Sequence, residues 1–259
     1  TFDPHPVKKL DPEACPPMLF TLDQKIEAIQ SQKIDCLVVE PFQLSFAKLS
    51  PEKFFQKIIL DRLRAKEIHV GYDFTFGHKR SGTIETLEQL GQKHGVPVNI
   101  IPAFFLDNML VSSTRVRQLI AESKMSSASY LLGKHYSIEG KVITGRGFGG
   151  KKLGFHTANL NPLNELIPPM GVYATFVRIK KKRYPSVTNI GTNPTFGGKK
   201  LSIEPHILDF KKNILGQTIR LEFVEKIREE ITFANANDLS RQISSDINIA
   251  KSHLRQSKW

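Results

Sequence analysis

The hydrophobic pattern changes period once along this chain, and that change decides what it can fold into. Up to about Ser123 the apolar residues fall in short runs and at helical spacing; from Tyr136 onward they alternate. Leu22, Ile26 and Ile29 share one helical face, and the run Cys36–Val39 reads as a buried strand. Ser50 before Pro51 is an N-cap with proline at the first helical position, and Phe55, Ile58, Ile59 and Leu63 continue that helix's apolar stripe. Ile68–Tyr72 and Val96–Ile101 read as further strands, flanking a helix through Leu87 and Leu90 that stops at Gly95. Strand–helix–strand repetition with short apolar strands predicts a parallel sheet covered on both faces. Ligands of such sheets bind at the carboxyl ends of the strands.

The second half has a different grammar. Tyr136, Ile138, Gly140 and Val142 alternate, as do Val172, Thr175, Val177 and Ile179; Val187–Ile190, Leu201–Leu208 and Thr218–Phe223 follow. Several short strands between Gly, Pro and Asn turns predict an antiparallel barrel or sandwich. A final helix is expected from about Asn237 to His253, with Leu239, Ile243, Ile247 and Ala250 on one side. The 259 residues therefore divide into two expected domains, 1–134 and 135–259.

Composition narrows the partners. The chain is 40% apolar and 24% charged, with no apolar run long enough to span a membrane. Its two cysteines, Cys15 and Cys36, form no C-x-x-C pair, which fits a reducing cytoplasm and excludes a cysteine-rich zinc site. The formal charge of +12 admits either nucleic acid or an anionic small molecule. The densest basic cluster, Lys180–Arg183, lies between two β-like segments and reads as a solvated hairpin tip. Phe and Tyr fall mostly at apolar alternation positions rather than interleaved with Arg and Lys, which argues against a basic nucleic-acid-binding surface. Small-molecule substrates are thus expected, without nucleic acid or membrane.

Three stretches carry possible chemistry. Gly145 to Asn159 reads GRGFGGKKLGFHTAN, with four glycines in six positions, then Lys151 and Lys152, then Thr157 and Asn159. Gly-rich backbone can wrap phosphates closely, and a hydroxyl and an amide two residues apart are oxygen ligands that Mg²⁺ accepts. The plainer alternative is a solvated hairpin loop. Ser112, Ser113 and Thr114, with Arg115 and Arg117 in the first helical turn, could hold an anion or form an ordinary N-cap. Glu204 sits among Ile203, Pro205 and Ile207, where it could point into a barrel mouth and serve as a general base oriented by His206, or face outward as an ordinary strand glutamate. Asp209 and Glu222 are weaker candidates for the same role.

Nine motifs then occur in order over nearly the full length. TFDPHP (1–6), FAKLSPEKF (46–54), VGYDFTFGHKRSG (70–82) and VSSTRVR (111–117) resemble the adenylyltransferase half of bacterial bifunctional riboflavin kinase/FMN adenylyltransferases. GRGFGGKKLGFHTANL (145–160), GVYA (171–174), NIGTNPTFGG (189–198), IEPHILDF (203–210) and IREEITF (227–233) resemble the kinase half. The resemblance implies a Rossmann-like nucleotidyltransferase domain, incomplete in this chain, before a six-stranded antiparallel riboflavin-kinase barrel with a C-terminal helix. It implies that Thr157 and Asn159 ligate Mg²⁺ and that Glu204 accepts the proton of the ribityl 5′-hydroxyl. It places ATP on Arg146, Gly147, Gly149, Lys151, Gly154 and Thr157, and the flavin near Arg228. For the adenylyltransferase-like nucleotide and flavin site it points to Asp73, Phe74, Arg80, Ser112, Ser113, Thr114 and Arg117. Riboflavin and ATP are the implied substrates and FMN the product; the resemblance leaves the oligomeric state open.

The sequence departs from the family pattern in three places. His156 stands where the metal-ligand motif usually has proline, which would fix φ there. Thr83 stands where aspartate is usual. No G-x-F-D-G-x-H-x-G-H segment precedes TFDPHP, so the expectation is an N-terminally truncated half with adenylyltransferase activity lost, and full bifunctionality as the alternative if the intact protein carries that segment.

Overall fold

The structure is a computed structural model describing residues 1–144, 158–195, 198–233, 235–257 and 259, without the side chains of 193–200. It divides into two compact units, Thr1–Pro16 with Gln24–Val111, and Pro17–Asp23 with Ser112–Trp259.

In the first part of the chain, strand β1 (Phe2–Asp3) is followed by helices α1 (Pro6–Leu10) and α2 (Leu22–Gln30), then β2 (Glu40–Pro41). Helices α3 (Leu44–Ala47) and α4 (Pro51–Phe54) come next, and α4 runs on as a π-helix over Phe55–Arg62. The wider turn shows in the bond from Leu63 N–H to Ile58 O, 2.9 Å. Ser50 caps α4 by accepting from the Lys53 N–H at 3.3 Å, an arrangement worth about 1 kcal/mol. Then come β3 (Ile68–Gly71), α5 (Ile84–His94), β4 (Val98–Ile101), and the hairpin of β5 (Phe105–Leu106) and β6 (Met109–Leu110). Phe55, Ile68, Phe76, Leu87 and Val96 form the core between them.

Pairing is parallel, as the strand–helix alternation predicts: β1 with β2 and β3 with β4. Two details differ from the sequence reading. The run 36–39 is not a strand, because the ladder falls one step later, on Glu40 and Pro41. The four parallel strands also make two separate pairs rather than one sheet. Each strand has a single neighbour among the described residues, which leaves its other edge unpaired, and Ile100 and Ile101 stand exposed.

The second unit contains α6 (Ser113–Ala121), α7 (Met125–Leu132), six antiparallel strands and α8 (Ala236–Gln256). The strands are β7 (Tyr136–Ile143), β8 (Asn159–Pro162), β9 (Gly171–Ile179), β10 (Lys182–Thr195), β11 (Gly198–Ile207) and β12 (Thr218–Arg228), in sheet order β11-β10-β9-β12-β7-β8. The Ala158 N–H donates to Pro205 O at 3.0 Å and brings the two ends of that order together, curling the sheet into a barrel. Alternation fills the lumen: Tyr136, Ile138, Tyr173, Ile190, Ile203, Leu221 and Phe223 are all buried. A polar patch inside is self-satisfied, with Thr175 Oγ1 2.6 Å from Ser186 Oγ and 2.7 Å from Thr188 Oγ1. Outside, Val172, Ala174, Val187 and Val224 pack under Ala250 and Leu254 of α8. Gly140 on β7 lets β8 approach: a Cβ there would meet the Asn161 carbonyl below 3 Å. Lys180 and Lys181 form the β9–β10 turn, the hairpin tip expected of that cluster.

Candidate functional site

The period of two along β11 sorts its side chains. Ile203, Pro205 and Ile207 face the lumen, while Ser202, Glu204 and His206 face outward. Glu204 therefore does not point into the barrel mouth; it stands half-buried on the outer face, because its apolar neighbours have taken the lumen. Its cross-strand partner is Asn189, and that of Ser202 is Gly191. The Ala158 bond to Pro205 sets Asn159, the first residue of β8, beside the same face. Ser202 bridges the two: its Oγ lies 2.6 Å from Glu204 Oε1 and 3.4 Å from Asn159 Oδ1. A carboxylate, a hydroxyl and an amide oxygen thus converge from strands at opposite ends of the sheet order.

These are hard oxygen donors of the kind Mg²⁺ accepts, although the described residues hold no group of three His, Cys, Asp or Glu able to enclose a metal. A cation here would lean on phosphate oxygens for its remaining ligands. Thr157, Arg146, Gly147, Gly149, Lys151, Gly154 and His156 lie outside the described residues.

Arg228 has a structural partner. Its Nε and Nη2 fork onto the buried Asp246 of α8 at 3.0 and 2.8 Å, and Gln242 Nε2 donates to the same carboxylate at 2.9 Å. Glu222 is likewise engaged, within 2.8 Å of both Arg178 and Arg183. Asp209 is exposed, in a left-handed turn with φ +54°. A residue the sequence reading missed is Glu230, whose carboxylate lies over the Cα of Gly191, closer than any side chain there would allow. Only the β10–β11 register reveals that this puts it on the face of Ser202 and Glu204.

The first unit carries a cavity of about 540 Å³. Phe2, Phe42, Phe46, Phe54, Phe74 and Phe76 wall it, and Lys48, His78, Lys79 and Arg80 also line it. The phenylalanines form a continuous chain of ring contacts, with centroids 5.3 Å apart for Phe2–Phe42 and 5.7 Å for Phe74–Phe76. An aromatic wall with cations suits a flat ring system bearing a negative group. Phe74 and Arg80 are thus brought to a cavity, with Arg80 steadied by a 2.9 Å bond to Thr75 Oγ1, while Asp73 sits exposed in the preceding turn. In the second unit Ser112 is the N-cap of α6, accepting from the Arg115 N–H at 3.2 Å. Arg115 bonds Gln118 and Arg117 donates to the Pro17 carbonyl at 2.9 Å; Ser113 and Thr114 are exposed in the first turn. This is the ordinary N-cap arrangement, with both guanidiniums occupied.

Known proteins resemble both halves. The family model for riboflavin kinase matches residues 132–254, and that for FAD synthetase matches residues 1–115. A bifunctional riboflavin kinase/FMN adenylyltransferase of Buchnera aphidicola subsp. Schizaphis graminum is 36% identical over 257 residues, covering 98% of this chain and 82% of that protein. The protein of the same description from Haemophilus influenzae is 36% identical over 96% of this chain and 81% of its own length; that of Escherichia coli K12 is 33% identical over 95% and 78%. Among solved structures, one described as a macrolide-efflux protein from Streptococcus pneumoniae superposes with a TM-score of 0.85 at 28% identity, covering 97% of this chain and 82% of that one. The FAD synthetase match over residues 1–115 does not support the expectation that the adenylyltransferase is lost, and it favours the bifunctional alternative.

Proposed function

The chain belongs to the bifunctional riboflavin kinase/FMN adenylyltransferase family, and on that premise we propose how its residues divide the two reactions. The kinase is assigned to 135–259, where ATP phosphorylates riboflavin at the ribityl 5′-hydroxyl to give FMN. The adenylyltransferase is assigned to 1–134, where FMN and ATP give FAD. The observation that carries the kinase reading is the Ser202 bridge between Glu204 and Asn159.

In this reading the 5′-oxygen forms a bond to the γ-phosphorus, the bond to the β-phosphate oxygen breaks, and ADP leaves. Glu204 takes the hydroxyl proton, and Ser202, donating at 2.6 Å, holds the carboxylate in place. Asn159 and Thr157 would hold Mg²⁺, which when bound neutralises phosphate charge; the Gly145–Lys152 stretch supplies backbone N–H groups and lysine charge for the phosphates. The work is positioning and charge neutralisation, without a covalent intermediate. Arg228 acts at one remove, by fixing the end of β12 to α8. In the first half, the phenylalanine wall is suited to stack a flavin ring and the Lys48, His78, Lys79 and Arg80 group to meet its phosphate. The free thiols of Cys15 and Cys36 fit a cytoplasmic enzyme, and no helix among the described residues is long and apolar enough to cross a membrane.

Glu204→Gln tests this. FMN formation should fall by about 10²-fold or more while riboflavin affinity is retained, read by turnover beside equilibrium flavin binding. Unchanged turnover would remove Glu204 from the reaction.

A further inference from the structure

Glu230 lies on the outer barrel face that Ser202 and Glu204 share. Its carboxylate sits on the bare Cα of Gly191, with both oxygens and the carboxyl carbon at 3.0 Å or less from where a Cβ would be. Gly191 is the register partner of Ser202, and paired residues of an antiparallel ladder share a face. Ser202 in turn bonds Glu204, so the two carboxylates share one surface, anchored at diagonal positions of the β10–β11 ladder about 7–8 Å apart.

Two described cations nearby, Arg228 and Lys226, are already committed. Arg228 forks onto Asp246, and Lys226 Nζ is 2.7 Å from Glu229. Glu230 itself is exposed and makes no hydrogen bond or ion pair among the described residues. An ionised carboxylate only accepts hydrogen bonds, so a neutral ligand that meets it must donate O–H or N–H. Resting on the kinase reading above, we propose that Glu230 is a specificity-determining residue that accepts hydrogen bonds from the secondary hydroxyls of the ribityl chain. The terminal hydroxyl is then delivered to Glu204. The spacing of about 7–8 Å matches a polyol laid diagonally across β10 and β11, one end at each carboxylate. Gly191 is the feature that makes this possible, since any side chain there would lift Glu230 off the face.

The test compares two substrates on the full chain: riboflavin, and a flavin analogue whose side chain keeps the terminal hydroxyl on a plain pentyl chain. Glu230→Ala should lower kcat/KM for riboflavin about ten- to a hundred-fold, mostly through KM, and leave the analogue's kcat/KM unchanged. Glu230→Gln should recover part of the loss, because its amide oxygen still accepts. Gly191→Ala should reproduce the Glu230→Ala pattern. The KM for ATP should not move in any variant. Equal losses for both substrates, or no loss for riboflavin, would overturn the proposal. Absence of riboflavin phosphorylation by the unaltered chain would instead overturn the kinase reading beneath it, so the two failures are told apart.

Discussion

Ser202 has one hydroxyl proton and two acceptors in reach, and distance decides between them. At 2.6 Å from a carboxylate and 3.4 Å from an amide oxygen, it donates to Glu204, a bond to a charged group worth about 1.5–3 kcal/mol. His135 shows the opposite case, a titratable group held neutral. Burial, and after it the charge of Arg183, push its imidazole down to about 4. Its Nε2 lies 2.7 Å from Ser257 Oγ and its Nδ1 3.2 Å from Ser129 Oγ. In the unfolded chain the same ring takes its proton near pH 6.5. Stability from keeping it neutral is therefore complete above about pH 6.5 and is lost as pH falls from there through about 4. The melting temperature should drop more steeply between pH 7.5 and 5 for the unaltered chain than for His135→Gln; parallel pH profiles would refute that. Glu204 and Asn159 could be picked out from motifs; Ser202 lies outside them, and Glu230, though inside IREEITF, is passed over there for Arg228. Serine and glutamate on a strand say nothing by themselves; their meaning lies in which residue stands opposite.

At the scale of elements, the end of β12 is tied to α8 by the Arg228–Asp246 pair, buried on the Asp246 side. Leaving one partner of such a pair buried alone costs about 3–5 kcal/mol, so Asp246→Ala should lower the urea midpoint accordingly, whereas Asp238→Ala on the exposed first turn of α8 should cost a fraction of that. The helix was legible from its apolar periodicity, and its observed span, Ala236–Gln256, contains the expected one. The partner of Arg228 was not, because eighteen residues and a turn of chain separate them. A similar limit applied to the parallel strands. Strand–helix repetition announces parallel pairing, but which strands pair depends on long-range contacts that local periodicity does not encode.

At the scale of the whole molecule, the two compact units follow the two family matches, one over 1–115 and one over 132–254. The proposed division gives the two reactions different residues, so each should be removable alone. With Glu204→Gln, supply of riboflavin and ATP should yield neither FMN nor FAD, while supply of FMN and ATP should still yield FAD, followed by chromatography of the flavins. Loss of both conversions in that variant would contradict the division of labour.

The short contact from Ala158 to Pro205 has a temporal meaning as well as a spatial one. Asn159 and Glu204 belong to β8 and β11, the two ends of the strand order, and meet only where that contact draws the ends together. A chain with every other ladder formed but this junction open would have full sheet content and would leave the proposed catalytic pair apart. Such distant pairings form slowly, because loop closure precedes their reward. During refolding from denaturant, the return of turnover should trail the return of β-structure, making catalysis a clock for the last step of assembly.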